Sequence, residues 1–272
     1  METSRLETIQ EAIKVRRSRR AYSPEPLPEE IIQELQELLD VYNALGQVDM
    51  RMVINNGKAI SGVRNSYGLF SGVRNYLGLI AYGNDTASYE HLGYYGEAWI
   101  LRATMLGLGT CWVGGTFNRG LIPFALSDDK KIICTIPFGY VSDEPSGREK
   151  LIKRFTGRSS KTIEEMVSQE SDELPDWFNA GMEMVQRAPS ASNKQPVLFT
   201  YKEAVASASV SHASDQILDS SLFPAVTNEM LALDFGIAKL HFEIGVVGSD
   251  WDLGKGDWCW DWGNGGKFHR ND

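Results

Sequence analysis

The nine residues GLGTCWVGG, positions 107–115, carry two glycines in the spacing of a dinucleotide-binding turn, and the residues ahead of them decide how they are read. Such a turn needs a strand before it and a helix after it. From Glu90 to Leu106, however, Leu92, Tyr95, Trp99, Ala103 and Leu106 recur at helical period, so a helix runs into Gly107 and the glycine reads as its stop. A doubly wound nucleotide-binding fold is therefore disfavoured. Gly107 and Gly109 serve as a cap and a turn, whereas Gly114 and Gly115 beside Trp112 leave bare backbone that a flat ligand can approach.

Working outward, YLGLIAY at 76–82 and KIICTIPFGYV at 131–141 are short apolar runs that suit buried strands. Ahead of them, Leu6, Ile9, Ala12 and Ile13 predict a first helix to about Val15. Pro28 opens a second helix to about Ala44, with glutamates in its first turn and Gly46 as its stop. Between Asn55 and Asn75 glycine and asparagine accumulate, and SGVRN at 61–65 recurs at 71–75, which reads as loop or hairpin. Beyond a polar segment at 142–160, short helices are expected near Thr162–Ser168 and Pro175–Arg187. An irregular segment, APSASNKQP at 188–196, leads into a strand at Val197–Tyr201, and Thr227–Phe242 has helical spacing around Gly236. The tail, 251–266, packs four of the seven tryptophans among glycines and aspartates and carries no clear period. Helices and strands alternate irregularly, so an α+β or mixed α/β sandwich is expected.

The chain has 272 residues, with 27 Lys plus Arg against 36 Asp plus Glu, a net charge of −9 that disfavours a broad nucleic-acid-binding face. No apolar run approaches the ~18 residues of a membrane span. Met1–Lys14 lacks a signal-peptide pattern, so a cytoplasmic protein is expected. Cys111, Cys134 and Cys259 are odd in number and far apart, which suggests three buried thiols and no metal site. His91, His212, His241 and His269 stand in unrelated contexts and are read as structural or exposed.

Two further segments carry chemistry. Arg16, Arg17, Ser18, Arg19 and Arg20 put four arginines in five residues of an acidic chain. A charge run can be a solvated face, but guanidinium forks and a hydroxyl at a helix end can also converge on a phosphate, and a helix C-terminus leaves the attraction to the arginines. In APSASNKQP, Ser190, Ser192, Asn193 and Gln195 lie between Pro189 and Pro196. Their hydroxyls and amides are equipped to read the polar edge of a heterocycle, or else to close a turn.

Together, RRSRRAY at 16–22, GLGTCWVGG at 107–115 and PSASNKQP at 189–196 resemble the three flavin-contacting segments of the nitroreductase superfamily. The resemblance implies an α+β sandwich with a mixed central sheet flanked by helices, non-covalent FMN, NAD(P)H as electron donor and a small electron-poor acceptor such as a nitroaromatic or quinone. By position, it assigns Arg16, Arg17, Ser18 and Arg20 to the FMN phosphate and pyrimidine edge, with Arg19 facing outward. Pro189, Ser190, Ser192, Asn193 and Gln195 go to the ring edge and ribityl chain, and Trp112, Gly114 and Gly115 to N5 and O4 through backbone groups. A basic residue adding to the phosphate grip would be Arg158 or Lys161. No side chain is assigned as a catalytic acid or base.

In most of that superfamily the PSxxNxQP segment comes early and the glycine-rich segment last; here the order is reversed. This resembles the tandem, single-chain group described as "putative TM nitroreductase", in which two related halves imitate the usual homodimer. The expected halves are 1–160, with the arginines and the glycine-rich segment, and 161–272, with PSxxNxQP, sharing one core. One FMN per chain and a monomer follow, with the helix near Gly236 as counterpart of the helix ending at Gly107. Two other readings are a flavin-binding protein without NAD(P)H turnover (a carrier, a sensor or another flavin chemistry such as dehalogenation) and a binding or structural protein without flavin.

Overall fold

The computed structural model describes residues 5–61, 68–83, 85–142, 160–210, 226–255 and 257–270. The chain divides into two compact units. Unit 1 comprises Met1–Glu7, Val15–Asp85 and Trp99–Gly157; unit 2 comprises Thr8–Lys14, Thr86–Ala98 and Arg158–Asp272. The two units are interleaved in sequence. Helix α1 (Ile9–Val15) groups with unit 2, where Gln10 Nε2 donates to the Ile244 carbonyl at 3.5 Å.

Unit 1 contains α2 (Glu29–Gly46) and an antiparallel sheet of β1 (Asp49–Val53), β2 (Asn75–Tyr82), β3 (Gly109–Thr110) and β4 (Lys130–Gly139), in the order β1-β2-β4-β3. Glu29 and Glu30 occupy the first turn of α2, where the helix dipole favours negative charge. Gly46 is the last residue of this helix, and the left-handed cap falls one position later, on Gln47 (φ 49°). Between β2 and β3 runs α3 (Thr86–Met105), whose first part belongs to unit 2 and whose end, from Trp99, belongs to unit 1. Gly107, at φ 78°, ends it in the conformation that a side chain would strain. Unit 1 closes a core of Val53, Ile60, Phe70, Tyr76, Ile80, Val113 and Ile132.

Unit 2 repeats the plan. After α4 (Ile163–Met166), opened by the Thr162–Glu165 capping box, come α5 (Asp176–Val185), β5 (Val197–Lys202), β6 (Val205–Val210), α6 (Asn228–Val247), β7 (Trp258–Trp260) and β8 (Gly266–Arg270). The strand order β5-β6-β8-β7 matches that of the first sheet, and each sheet has one long helix between its second and third strands. The expected counterpart of α3 is α6. Parallel pairing among the described residues is confined to isolated bridges at Ser18–Thr110, Ala21–Ser71 and Val167–Phe199; the strand ladders are antiparallel.

The tail with no clear period becomes the β7–β8 hairpin. Trp258 stacks on Phe268 with ring centroids 5.1 Å apart, and Trp260 meets Phe242 at 5.5 Å, in a core shared with Phe178 and Phe199. Within unit 2, α3 and α6 cross closely because each has a glycine at the contact. A Cβ on Gly236 would lie 1.9 Å from the Glu90 carbonyl oxygen, and one on Gly93 would lie 2.1 Å from that of Leu233.

Candidate functional site

In unit 1 the arginine segment leaves α1 as extended chain and lies beside β3. Ser18 pairs with Thr110 in a parallel bridge, and the Arg19 N–H donates to the Thr110 carbonyl at 2.8 Å. The next residues are pinned as well: Ser71 N–H donates to the Arg20 carbonyl at 2.9 Å and Tyr22 N–H to the Ser71 carbonyl at 3.0 Å. The Tyr22 hydroxyl sits between the carbonyls of Arg19 (2.8 Å) and Pro137 (3.0 Å). The segment that begins with four arginines is therefore fixed through its backbone. A Cβ on Gly109 would lie 3.0 Å from Arg19 Cγ and 2.5 Å from Val141 Cγ1, so this glycine lets the segment approach β3.

The four arginines differ in their surroundings. Arg17 and Ser18 are exposed, and Arg17 Nη1 donates to the Arg16 carbonyl at 2.7 Å. Arg16 and Arg20 are half-buried, with the Arg20 guanidinium 5.9 Å from the Phe70 ring centroid. Arg19, expected to face outward, is half-buried instead, and its Nη2 donates to the Ser142 carbonyl at 2.7 Å.

The glycine-rich segment continues from β3. Val113 and Thr135 exchange backbone hydrogen bonds of 2.9 and 3.0 Å, which hold the turn against β4. Trp112 and Gly114 are half-buried and Gly115 is exposed. The hydroxyls of Thr110 and Thr135 are buried without a hydrogen-bond partner, one of them where the arginine segment crosses β3. Two of the three motifs, far apart in sequence, are therefore neighbours within unit 1.

The third motif lies in unit 2 and is strained. Ser192, Asn193 and Gln195 adopt φ of 54°, 51° and 46°, the left-handed region that side chains disfavour. Hydrogen bonds enforce it. Ser190 Oγ accepts from Gln195 N–H at 2.8 Å, Gln195 Nε2 donates to the Gln186 carbonyl at 3.0 Å, and Gln195 Oε1 accepts from Lys161 N–H at 2.7 Å. Gln195 is only 6% exposed and both ends of its amide are engaged, so the geometry uses it to brace the loop and not to reach outward. Lys161 is similarly engaged: its ammonium donates to the Gln195 carbonyl at 2.9 Å, and its own carbonyl accepts from Gln186 Nε2 at 2.9 Å. Pro189, Ser192 and Asn193 keep some exposure. Arg158 lies outside the described residues.

Asp234 on α6 is a residue that motif and spacing do not single out. Both of its carboxylate oxygens accept from Ala191 N–H at 3.0 Å, at the centre of the third motif. Burial pushes its pKa to about 8, against the lowering effect of that hydrogen bond. A signal does exist, because LALDFGIAKL, at 231–240, sets a single acid in an apolar helical stretch.

The same helix carries further buried ionic groups. His241 is fully buried, with Nδ1 3.0 Å from the Met184 carbonyl and Nε2 3.1 Å from Glu97 Oε1. Glu243 accepts from the Tyr94 hydroxyl at 2.8 Å and from Trp251 Nε1 at 2.9 Å, and burial pushes its pKa to about 7. His91 packs on the Trp262 ring, while His212 lies outside the described residues. The expectation of three buried thiols holds for Cys111 and Cys134 but not for Cys259. This residue sits on the edge strand β7, half-buried, with Sγ 3.7 Å from His269 Nε2, which in turn is 3.1 Å from Asp261 Oδ1. Among the described residues no group of three His, Cys, Asp or Glu could hold a metal ion, and no helix is long and apolar enough to cross a membrane.

Two ββαββ units in one chain, with an arginine–serine segment laid along a glycine-rich edge strand, place the protein among the nitroreductase-like oxidoreductases. The family described as "Putative TM nitroreductase" matches residues 8–246, and the chain belongs to it. Among solved structures, the "putative nitroreductase" of Thermotoga maritima MSB8 is similar in fold, with a TM-score of 0.60 at 20% identity over 90% of this chain and 86% of that one. An FMN-dependent nitroreductase from Clostridium difficile R20291 matches half of the chain, with 21% identity, 50% and 88% coverage and a TM-score of 0.40. The FMN-dependent nitroreductase NfnB from Mycobacterium smegmatis, solved in complex with NADPH, gives 18%, 49%, 87% and 0.37. No curated protein matches the chain.

Proposed function

We propose that the protein is an FMN-dependent NAD(P)H oxidoreductase that passes electrons to nitroaromatic, quinone or similar electron-poor acceptors. The observation that carries the reading is the Ser18–Thr110 bridge. It lays the backbone of the arginine–serine segment alongside the edge strand that leads into the glycine-rich turn, and the hydroxyl and guanidinium groups of that segment are a donor set suited to a phosphate. When bound, FMN supplies the redox chemistry, accepting hydride from a nicotinamide and passing it to the acceptor in alternation.

The chain binds and orients. Arg16, Arg17, Ser18 and Arg20 hold the phosphate, and Trp112, Gly114 and Gly115 present backbone N–H groups to the ring, where electron density rises on reduction. In unit 2, Ser192, Asn193 and the main chain of their loop are the groups of the third motif that keep exposure for a ligand. Ser190, Gln195 and Lys161 keep that loop in its left-handed form. One FMN per chain and a monomer complete the proposal.

The test is the visible absorbance of protein loaded with FMN, recorded before and after NADH or NADPH without oxygen, together with the flavin-to-protein ratio and the mass in solution. Flavin bands that bleach on adding reductant are expected. Bands that persist point to a flavin carrier or another flavin chemistry, and failure to take up FMN rejects the reading.

A further inference from the structure

We propose that Asp234 is the positioning residue of the 189–196 loop, holding Ala191 N–H so that the left-handed backbone at Ser192, Asn193 and Gln195 is preset for its ligand. The inference rests on the flavin reading above and extends it from the residues that touch the ligand to the one that shapes their backbone. The geometry is specific: one buried carboxylate, 5% exposed, spends both oxygens on a single backbone N–H at 3.0 Å. A strained backbone persists only where its surroundings over-determine it, and the hydrogen bond from Ala191 fixes the first residue of the strained turn. Beside Asp234 lies a void of about 10 Å³, lined also by Pro189, Ser190, Gln195 and Ala238, room for about one water molecule.

The clamp is sensitive to protonation because nearby charges are committed elsewhere. On α6, Lys239 pairs with Glu90 of α3; also on α3, Tyr94 donates to Glu243 and His91 packs on Trp262. Lys161, ahead of α4, bonds the Gln195 carbonyl, while Glu183 and Arg187, at the end of α5 and just beyond it, are exposed. Lys194, on the loop itself, is half-buried. Burial and the Ala191 N–H are what set the Asp234 pKa. With the loop closed the carboxyl holds its proton up to about pH 8, whereas opened to water it ionises near its ordinary 3.8, so rising pH favours opening the loop and weakens ligand binding progressively until about pH 8.

Two measurements test this. In flavin-free protein, the Ala191 amide resonance should shift with a midpoint near pH 8 and lose that shift in Asp234→Asn; an amide that does not titrate in wild type overturns the proposal. For FMN binding by calorimetry, Asp234→Ala should raise Kd about tenfold. Asp234→Asn, which keeps an acceptor oxygen, should restore binding and remove the weakening that develops as pH rises to about 8. An unchanged Kd in a folded Ala variant overturns the proposal. Should that variant fail to fold, the Asn variant decides, and persistence of the wild-type pH dependence in it is fatal. A wild-type chain that binds no FMN while its Ala191 amide titrates rejects the flavin reading and this inference with it. FMN binding without the titration rejects the inference alone.

Discussion

Lys239 and Glu90 meet at 2.6 Å inside unit 2 with side chains 0% and 4% exposed, and the pair anchors the β7–β8 turn. The Lys239 ammonium also donates to the Asp261 carbonyl at 2.8 Å, and Glu90 Oε2 accepts from Gly263 N–H at 2.9 Å. Phe235 and Trp260 flank the ammonium at 4.4 and 5.2 Å from their ring centroids. Burial lowers the lysine pKa and Glu90 opposes the shift, so the charged form depends on its partner.

Removing one member of this pair is therefore expected to cost more than removing both. Lys239→Met or Glu90→Gln should each destabilise by about 3–5 kcal/mol, because the remaining group is left buried and uncompensated. The double variant should recover part of that loss. Urea unfolding followed by tryptophan fluorescence measures both, and single variants as stable as wild type would refute the anchoring role.

Stability should fall as pH rises through neutrality. Folded Glu243 and Asp234 hold their protons up to about pH 7 and about pH 8, against ordinary values of 4.5 and 3.8. The folded state thus binds protons that the unfolded chain has released. Their contribution is complete below about pH 4 and is lost progressively as pH climbs to about 7 for Glu243 and about 8 for Asp234. Denaturant midpoints across this window should decline in wild type and decline less steeply in Glu243→Gln, where only Asp234 remains; a slope of opposite sign would contradict the assignment.

Gly236→Ala should loosen the crossing of α3 and α6 in unit 2. The new methyl would lie 1.9 Å from the Glu90 carbonyl oxygen and 2.8 Å from Tyr94 N, both backbone atoms that cannot move alone. Overpacking of this kind costs about 1–3 kcal/mol or more. Thermal unfolding would show it, and an unshifted midpoint would argue against the close crossing.

Arg16→Ala combined with Arg20→Ala should weaken FMN binding without loss of fold. The segment is held by backbone hydrogen bonds to Thr110 and Ser71, which survive truncation of the side chains. Each lost charge-assisted bond is worth about 1.5–3 kcal/mol, so a reduction of about tenfold or more is expected. Equal FMN affinity in a folded double variant would remove the phosphate assignment.

Strongly patterned elements are legible in the amino-acid sequence itself. YLGLIAY and KIICTIPFGYV are apolar on both faces and bounded by turn residues, and they form β2 and β4 within a residue or two. The helices α2, α3 and α6 follow apolar spacing in the same way. Weakly patterned strands are not legible. DMRMV alternates methionine with polar groups, VASASV is mostly small residues, and the tail hairpin is broken by glycines; all three become strands because their neighbours supply hydrogen bonds and aromatic cover.

Local composition is enough to place the arginine run, the glycine-rich turn and the PSASNKQP loop, since each relies on residue types packed into a few positions. What composition does not reveal is which partners those residues meet. The pairing of Ser18 with Thr110, the bond from Lys161 N–H to Gln195 Oε1 and the clamp of Asp234 on Ala191 join residues 92, 34 and 43 positions apart, counted between their sequence numbers. Contacts over such separations depend on how helices and sheets pack. A residue's chemistry can be read along the chain, but whether its hydrogen bonds are spent inside the fold or left for a ligand is settled by the groups that packing brings beside it.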